Sequence, residues 1–256
     1  MGIKEALEYV VKLADPATFV FDGERYSDKP LHRINYNPKA KTITLTTLSS
    51  FVDYLKSDFD FSTKTTNAAA CQRFIIHVES PTSVVMYSTL DKDRSRETLV
   101  EVKANVPCFQ FERYVDHESF IVGVQSKFVD DPIENGNLLS DKQLLLKFAG
   151  TVESGTVTEY GDDGVSQKAT IKTGLASKGE AIVPNPVYLR PYRTFLEVEQ
   201  PKSGFVFRMK SDKYSNGVQC ALFEADGGIW QLAAVESVRC YLVEQLKDYH
   251  NFVIIS

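Results

Sequence analysis

The chain has few of the residues that mark the commoner metal and redox sites. Its 256 residues include four Cys, four His, three Met and one Trp. No two cysteines form a CxxC pair, and none has a histidine at the spacing of a zinc motif. An apolar residue adjoins each of Cys71, Cys108, Cys220 and Cys240, which predicts four reduced, mostly buried thiols. We expect no bound metal and no cofactor.

Long apolar runs and a basic excess are also missing. No stretch approaches the roughly 18 apolar residues that a membrane-spanning helix needs. The segment 1–13 carries Glu5 and Glu8 and lacks the basic start of a signal peptide, so we expect a cytoplasmic protein without membrane contact. The formal net charge is -5. Binding to duplex nucleic acid is therefore disfavoured, although local basic patches remain open.

The motifs of the well-known catalytic sites do not occur. The sequence contains no GxxxxGK[ST], GxGxxG, HExxH or GxSxG pattern. Gly227 and Gly228 are predicted to form a plain strand-to-helix turn. Two Asp-x-Asp pairs, Asp58 with Asp60 and Asp91 with Asp93, have a spacing that suits a shared metal ion or acid–base work, and equally a solvated loop. A nucleophilic triad assembled from distant positions also remains open.

Hydrophobic residues make up 43% of the chain, which is enough for an ordinary globular core. The periodicity predicts an α+β protein: antiparallel sheets built from hairpins, with several short helices packed on them. Predicted helices cover about 3–14, 48–56, 118–129, 142–149 and 230–246. Predicted strands cover 18–21, 41–47, 74–78, 84–90, 98–106, 151–160, 165–173, 188–198, 205–210, 218–224 and 252–255, with a return strand starting at Arg25.

Several boundaries are predicted from local signals. Ser49 or Ser50 is expected to cap the second helix, and Gly150 to end the helix that begins near residue 142. Residues 175–186 are expected to be a loop. The chain is divided into 1–110, an α+β meander region, and 111–256, a helical segment followed by hairpins and a C-terminal helix. A single continuous domain is the alternative.

The densest mixture of arginine and aromatic residues lies in the segments 188–195 and 205–210. If these two strands are neighbours, Arg190, Arg208 and Lys210 share a face with Tyr188 and Tyr192. Such a face suits anions, nucleotides or single-stranded nucleic acid through charge-assisted hydrogen bonds and stacking. An ordinary sheet with a charged outer face is the alternative. The predicted ligand-binding residues are Tyr188, Arg190, Tyr192, Arg193, Arg208 and Lys210.

The order of several segments resembles a known family. They are the segment 48–55, the hairpin around Pro81, the segment 109–111, and the stretches 186–189 and 205–210. Together they are similar to the phage and prophage proteins of unknown function typified by the prophage protein YfdQ, over about residues 40–245. The resemblance implies a phage-encoded protein that acts in the cytoplasm of the infected bacterium. It implies no catalytic residues.

Three functional hypotheses follow. The first is a non-enzymatic phage accessory protein that acts by binding or self-assembly, as a homo-oligomer whose contacts involve the Thr- and Val-rich hairpin 151–173. The second is a binder of single-stranded nucleic acid or a nucleotide through the arginine and tyrosine patch. The third is a metal-dependent nuclease or hydrolase built on the Asp pairs, with Asp91 as an essential residue.

Overall fold

The structure is a computed structural model. It describes residues 2–14, 18–21, 24–27, 40–57, 60, 73–91, 94–131, 139–154, 156–162, 167–173, 177–182, 185–211 and 218–256. These residues form an α+β fold, as predicted, with five helices and mostly antiparallel sheets in the described part of the chain. The chain divides into two compact units, residues 1–40 and 41–256.

The first unit contains a helix and a hairpin. Helix α1 spans Ile3–Ala14, and strands β1 (Thr18–Phe21) and β2 (Glu24–Ser27) pair antiparallel, with Phe21 opposite Glu24. Both elements are confirmed where the sequence predicted them. The four residue pairs run from Thr18 opposite Ser27 to Phe21 opposite Glu24.

A five-stranded sheet forms the first part of the second unit. Its strands are β3 (Ile43–Leu45), β4 (Phe74–Ser80), β5 (Ser83–Ser88), β6 (Thr98–Lys103) and β14 (Phe252–Ile255). The order is β14-β4-β5-β6-β3, with β14 parallel to β4, β3 parallel to β6, and the other pairs antiparallel. The predicted hairpin around Pro81 is confirmed as β4–β5.

One face of this sheet holds the first hydrophobic core. Helix α2 (Leu48–Lys56) buries the predicted face of Leu48, Phe51, Val52 and Leu55. Helix α5 (Trp230–Gln245) packs beside it, with Val238 and Leu242 fully buried. The cap of α2 is a correction: Thr47, and neither Ser49 nor Ser50, is the N-cap, because its Oγ1 accepts the Ser50 N–H at 3.2 Å.

A four-stranded antiparallel sheet forms the second part. Its strands are β7 (Val115–Asp116), β11 (Val187–Leu189), β12 (Ser203–Ser211) and β13 (Val218–Glu224), in the order β11-β12-β13-β7. Helices α3 (His117–Lys127) and α4 (Asp141–Ser154) contact it. The second core, which includes Phe120, Leu145, Phe205 and Phe207, lies between them.

Three further strands form a separate antiparallel sheet. They are β8 (Thr156–Asp162), β9 (Gln167–Thr173) and β10 (Ser177–Ile182), in the order β10-β9-β8. The predicted hairpin is present, but two boundaries were wrong. Helix α4 continues through Gly150 to Ser154, and β10 occupies part of the predicted loop 175–186. Pairing with β9 makes β10 a strand, although its sequence has weak strand propensity.

The strand predicted over 188–198 was also wrong, because β11 ends at Leu189. The chain then turns around the buried side chain of Gln200. Its Oε1 accepts the N–H groups of Arg193 and Thr194, and its Nε2 donates to the carbonyl oxygen of Phe195 at 3.0 Å. These backbone groups are thus satisfied by a side chain and not by a neighbouring strand.

The first hydrophobic core contains residues from both sides of position 110. The first core takes Phe195, Val238 and Phe252 from the C-terminal half of the chain.

The thiol prediction was wrong for Cys108 and Cys240, which are exposed, whereas Cys220 is buried and all three are free. Cys71 lies outside the described residues.

Candidate nucleic-acid interface

The outer face of the four-stranded sheet carries three of the six predicted ligand-binding residues. Along β12 the side chains of Phe205, Phe207 and Met209 are buried in the second core. Successive side chains of a strand alternate between its faces, so Arg208 and Lys210 lie on the outer face. We call this surface the outer face throughout.

Tyr188 joins the outer face from the neighbouring strand. It lies opposite Gly204 in the β11–β12 register and is 49% exposed. A Cβ atom added to Gly204 would lie 3.4 Å from Cε1 of Tyr188. The tyrosine ring therefore lies close over the glycine and covers the strand where that strand has no side chain of its own.

A second tyrosine, which the sequence reasoning missed, stands at the other edge of the outer face. Tyr114 directly precedes β7, and the Nζ of Lys210 lies 4.1 Å from the centroid of its ring. Phe223 packs edge-on against Tyr114, with 5.9 Å between ring centroids. Lys210 is exposed and forms no ion pair within the described ranges. The ammonium group is held on an aromatic ring and is still open to an anion.

A cleft of about 510 Å³ opens beside Tyr114, and we call it the Tyr114 cleft. It lies between the segment 108–116 and one side of α3. Its walls include Gln110, Arg113, Tyr114, Ser119, Gly123 and Lys127. The volume is in the range of sites that take one small organic ligand. Two cationic side chains, the Asp116 carboxylate and several hydrogen-bonding groups therefore face one concave space.

The wall formed by α3 depends on two local features. Asp116 is the N-cap, and its carboxylate accepts the Ser119 N–H at 2.9 Å. Hydrogen bonds from Ser119 lower the pKa of Asp116, so its charge is engaged at the helix end. A Cβ at Gly123 would come within 3.0 Å of Cε2 of Phe109, which shows how closely the segment 108–116 approaches the helix.

Two of the remaining predicted residues, Arg190 and Tyr192, follow the end of β11, and the guanidinium of Arg190 is already engaged. The Arg190 guanidinium pairs with Asp131, Nε to Oδ1 at 2.9 Å, and with Glu199, Nη1 to Oε1 at 2.5 Å. The backbone N–H of Tyr192 donates to the carbonyl oxygen of Lys127 at 3.0 Å. Arg190 is therefore not an open cation.

Arg193, the sixth predicted residue, is enclosed in the second core and is only 7% exposed. Its guanidinium carbon lies 4.8, 4.9 and 4.4 Å from the ring centroids of Phe111, Phe205 and Trp230. Nη1 pairs with Oε1 of Glu224 at 3.0 Å. Burial lowers the pKa of Arg193, while the charges of Glu224 and Asp226 oppose that shift. Arg193 thus lies apart from the outer face.

The structure describes one member of each predicted Asp pair, because Asp58 and Asp93 lie outside the described residues. Asp60 accepts a hydrogen bond from the Tyr54 hydroxyl. Burial, helped by this carboxylate, raises the pKa of Tyr54 to about 12. Asp91 accepts the Ser95 N–H at 2.8 Å. Within the described ranges, no group of three or more His, Cys, Asp or Glu residues could hold a metal ion.

No family model matches the chain, and neither a curated protein nor a solved structure matches it. The resemblance to the phage and prophage family therefore stays a prediction. None of the described helices is both long enough and apolar enough to cross a membrane.

Proposed function

We propose that this chain is a non-enzymatic binding protein for single-stranded nucleic acid, and that the strand lies on the outer face beside the Tyr114 cleft. The observation that carries the proposal is the pair formed by Lys210 and Tyr114 at 4.1 Å. It places an open cation and a half-buried aromatic ring together, which are the two groups that contact the phosphate and the base of a single strand.

The surroundings of this pair support the same ligand. Tyr188 and Phe223 add aromatic rings to the outer face, and Arg113 and Lys127 outweigh the charge of Asp116 in the cleft. Stacking on an aromatic ring requires an unpaired base, so a single strand suits the site better than a duplex. The net charge of -5 agrees with this choice, since a duplex binder usually carries a basic surplus.

The first test removes the cation. Binding of a fluorescein-labelled oligothymidylate of about 12 nucleotides would be followed by fluorescence anisotropy over a range of salt concentrations. We expect Lys210→Ala to weaken binding about tenfold and to reduce the slope of log K against log salt by about 0.7, the value for one lost phosphate contact on a single strand. Lys247→Ala is the matched control, because Lys247 is an exposed lysine just after α5 and pairs with Glu244 of that helix.

The second test removes the ring and keeps the charge. Tyr114→Leu should lose base stacking, which contributes about 1–3 kcal/mol per base, without changing the salt slope. If Lys210→Ala and Tyr114→Leu both bind the oligonucleotide as tightly as the unchanged protein, the strand does not lie on the outer face. If the unchanged protein does not bind single strands at all, the proposal fails.

Self-assembly is the second candidate, and helix α1 favours it. Its apolar residues Ile3, Leu7 and Val10 are 84%, 61% and 60% exposed. A helix of 12 residues is too short to be stable in water without a partner. Its polar positions carry two lysines and two glutamates, so a second copy of the chain brings no net like-charge repulsion.

Sedimentation velocity tests this candidate directly. We expect an oligomer at micromolar concentration and a monomer after Leu7→Glu, with Glu8→Gln as the control on the same helix. A monomeric unchanged protein would end the assembly hypothesis and leave the binding proposal intact. A phage origin and action in the host cytoplasm, which the resemblance implies, remain part of the proposal for either candidate.

A further inference from the structure

Two exposed or half-exposed tyrosines mark opposite edges of the outer face. Tyr188 lies on the edge strand β11, and Tyr114 directly precedes the other edge strand, β7. Strands β12 and β13 lie between them, so three interstrand spacings of about 4.8 Å separate the two edges by roughly 14 Å.

The tyrosines are also offset along the strands. Tyr188 lies opposite Gly204. Val115 lies opposite Cys220, so Tyr114 reaches the level of Ala221, whose partner on β12 is Arg208. From Gly204 to Arg208 the strand rises by roughly 14 Å, at about 3.4 Å per residue. The diagonal from one tyrosine to the other is therefore about 20 Å.

The surface along this diagonal suits a continuous single strand. Val206 and Phe223 lie opposite each other between the two tyrosines, and both are half-buried. Arg208, also half-buried, follows on β12, and Lys210 lies against Tyr114. Apolar contact, aromatic ring and positive charge thus follow one another from Tyr188 to the Tyr114 cleft.

We infer that the ligand is an oligonucleotide that spans both tyrosines, and not a mononucleotide held at one of them; this inference rests on the proposed function. A stacked single strand rises about 3.4 Å per nucleotide, so 20 Å corresponds to roughly six stacked nucleotides and to fewer in an extended strand. This length lies within the range of roughly 4–16 nucleotides that single-strand-binding folds occupy. Tyr188 is then the far contact, and Tyr114 with Lys210 is the near contact beside the cleft.

The test is a length series. Oligothymidylates of about 2, 4, 6 and 8 nucleotides, together with thymidine 5′-monophosphate, would compete with the labelled oligonucleotide of about 12 nucleotides. We expect affinity to rise at least about tenfold between the dinucleotide and the hexanucleotide and to change less than about twofold beyond it. Tyr188→Ala should abolish most of this rise, so that the hexanucleotide binds little more tightly than the dinucleotide. Tyr188→Phe should retain the rise, and Tyr9→Ala, an exposed tyrosine on α1, is the matched control.

The outcomes separate the two claims. If thymidine 5′-monophosphate competes as strongly as the hexanucleotide, the inference is overturned while the proposed function survives. The inference is also overturned if Tyr188→Ala weakens all lengths equally, because Tyr188 then does not act as a far contact. If no length competes and the labelled oligonucleotide itself does not bind, the proposed function fails.

Discussion

At the scale of single residues, Arg193 combines two roles that are usually separate. Its side chain fills the space between three aromatic rings, and its charge is paired with Glu224 at the end of β13. Among the described residues, its Nε and Nη2 have no hydrogen-bond partner. The rings therefore compensate part of the cost of burying a charge, which would otherwise be several kcal/mol.

Truncation of Arg193 should be costly. We expect Arg193→Ala to lower the free energy of unfolding by about 3 kcal/mol, because it opens a cavity among the rings and leaves Glu224 unpaired. Arg193→Met should cost clearly less, since the methionine fills most of that space. Urea denaturation measures both, and Arg239→Ala, which removes a surface ion pair on α5, is the control that should change stability by less than about 1 kcal/mol. Equal losses for Ala and Met would show that the charge, and not the packing, is decisive.

The thiols give a second test at this scale. Burial raises the pKa of the Cys220 thiol to about 12, and a hydrogen bond to Glu236 raises the pKa of Cys240. In the folded protein at pH 8, iodoacetamide should label the exposed Cys108 and, more slowly, Cys240, because the thiolate is the reactive form. Cys220 should react only after unfolding. Peptide mass mapping reads each site, and rapid native labelling of Cys220 would contradict its burial.

At the scale of elements, two helical glycines have opposite surroundings. Gly123 in α3 faces the ring of Phe109 at close range, whereas a Cβ at Gly150 in α4 would meet nothing within 4 Å. Glycine inside a helix costs about 1 kcal/mol relative to alanine. The same substitution should therefore help one helix and harm the other.

We expect Gly150→Ala to raise the free energy of unfolding by about 0.5–1 kcal/mol. Gly123→Ala should lower it by about 1–2 kcal/mol, because the displacement of Phe109 outweighs the gain in helix propensity. Denaturant midpoints at constant m-value measure both changes. A stabilised Gly123→Ala variant would mean that the segment 108–116 moves away from α3 at little cost, and oligonucleotide binding at the Tyr114 cleft should then change as well.

At the scale of the whole unit 41–256, the segment 193–200 connects the two cores. Arg193 lies among the rings of the second core, and Phe195 is buried in the first. The hydroxyl of Thr194 donates to the carbonyl oxygen of Pro81 in the β4–β5 hairpin at 2.5 Å. The buried side chain of Gln200 hydrogen-bonds the backbone of this segment, so the two cores are expected to unfold together.

Gln200→Leu should make the two cores unfold in separate transitions. The substitution leaves the buried N–H groups of Arg193 and Thr194 without an acceptor and should lower the free energy of unfolding by about 3 kcal/mol. In the unchanged protein, the fluorescence of Trp230, the only tryptophan, and far-UV circular dichroism should give one coincident transition. In the variant the two transitions should diverge. Gln231→Leu on exposed helix surface is the control, and coincident transitions in Gln200→Leu would show that other contacts couple the cores.

The sequence by itself determined the elements whose signals are local. The buried face of α2 follows from the helical spacing of Leu48, Phe51, Val52 and Leu55, and the β4–β5 and β12–β13 hairpins follow from alternation around turn residues. These patterns depend on residues only a few positions apart, so they can be recognised in the sequence before any tertiary contact is known. The placement of Tyr188, Arg208 and Lys210 on one face followed in the same way once β11 and β12 proved to be neighbours.

Only the tertiary structure decided the features that depend on distant partners. Residues of β10 form a strand because they pair with β9. The extended chain ends after Leu189, where the side chain of Gln200 binds the backbone. Arg193 is buried because aromatic rings surround its guanidinium. Tyr114 meets Lys210 because β7 pairs with β13, two strands that are far apart in sequence. Such contacts depend on which surfaces pack together when apolar area is buried, and a local sequence pattern contains no information about that packing.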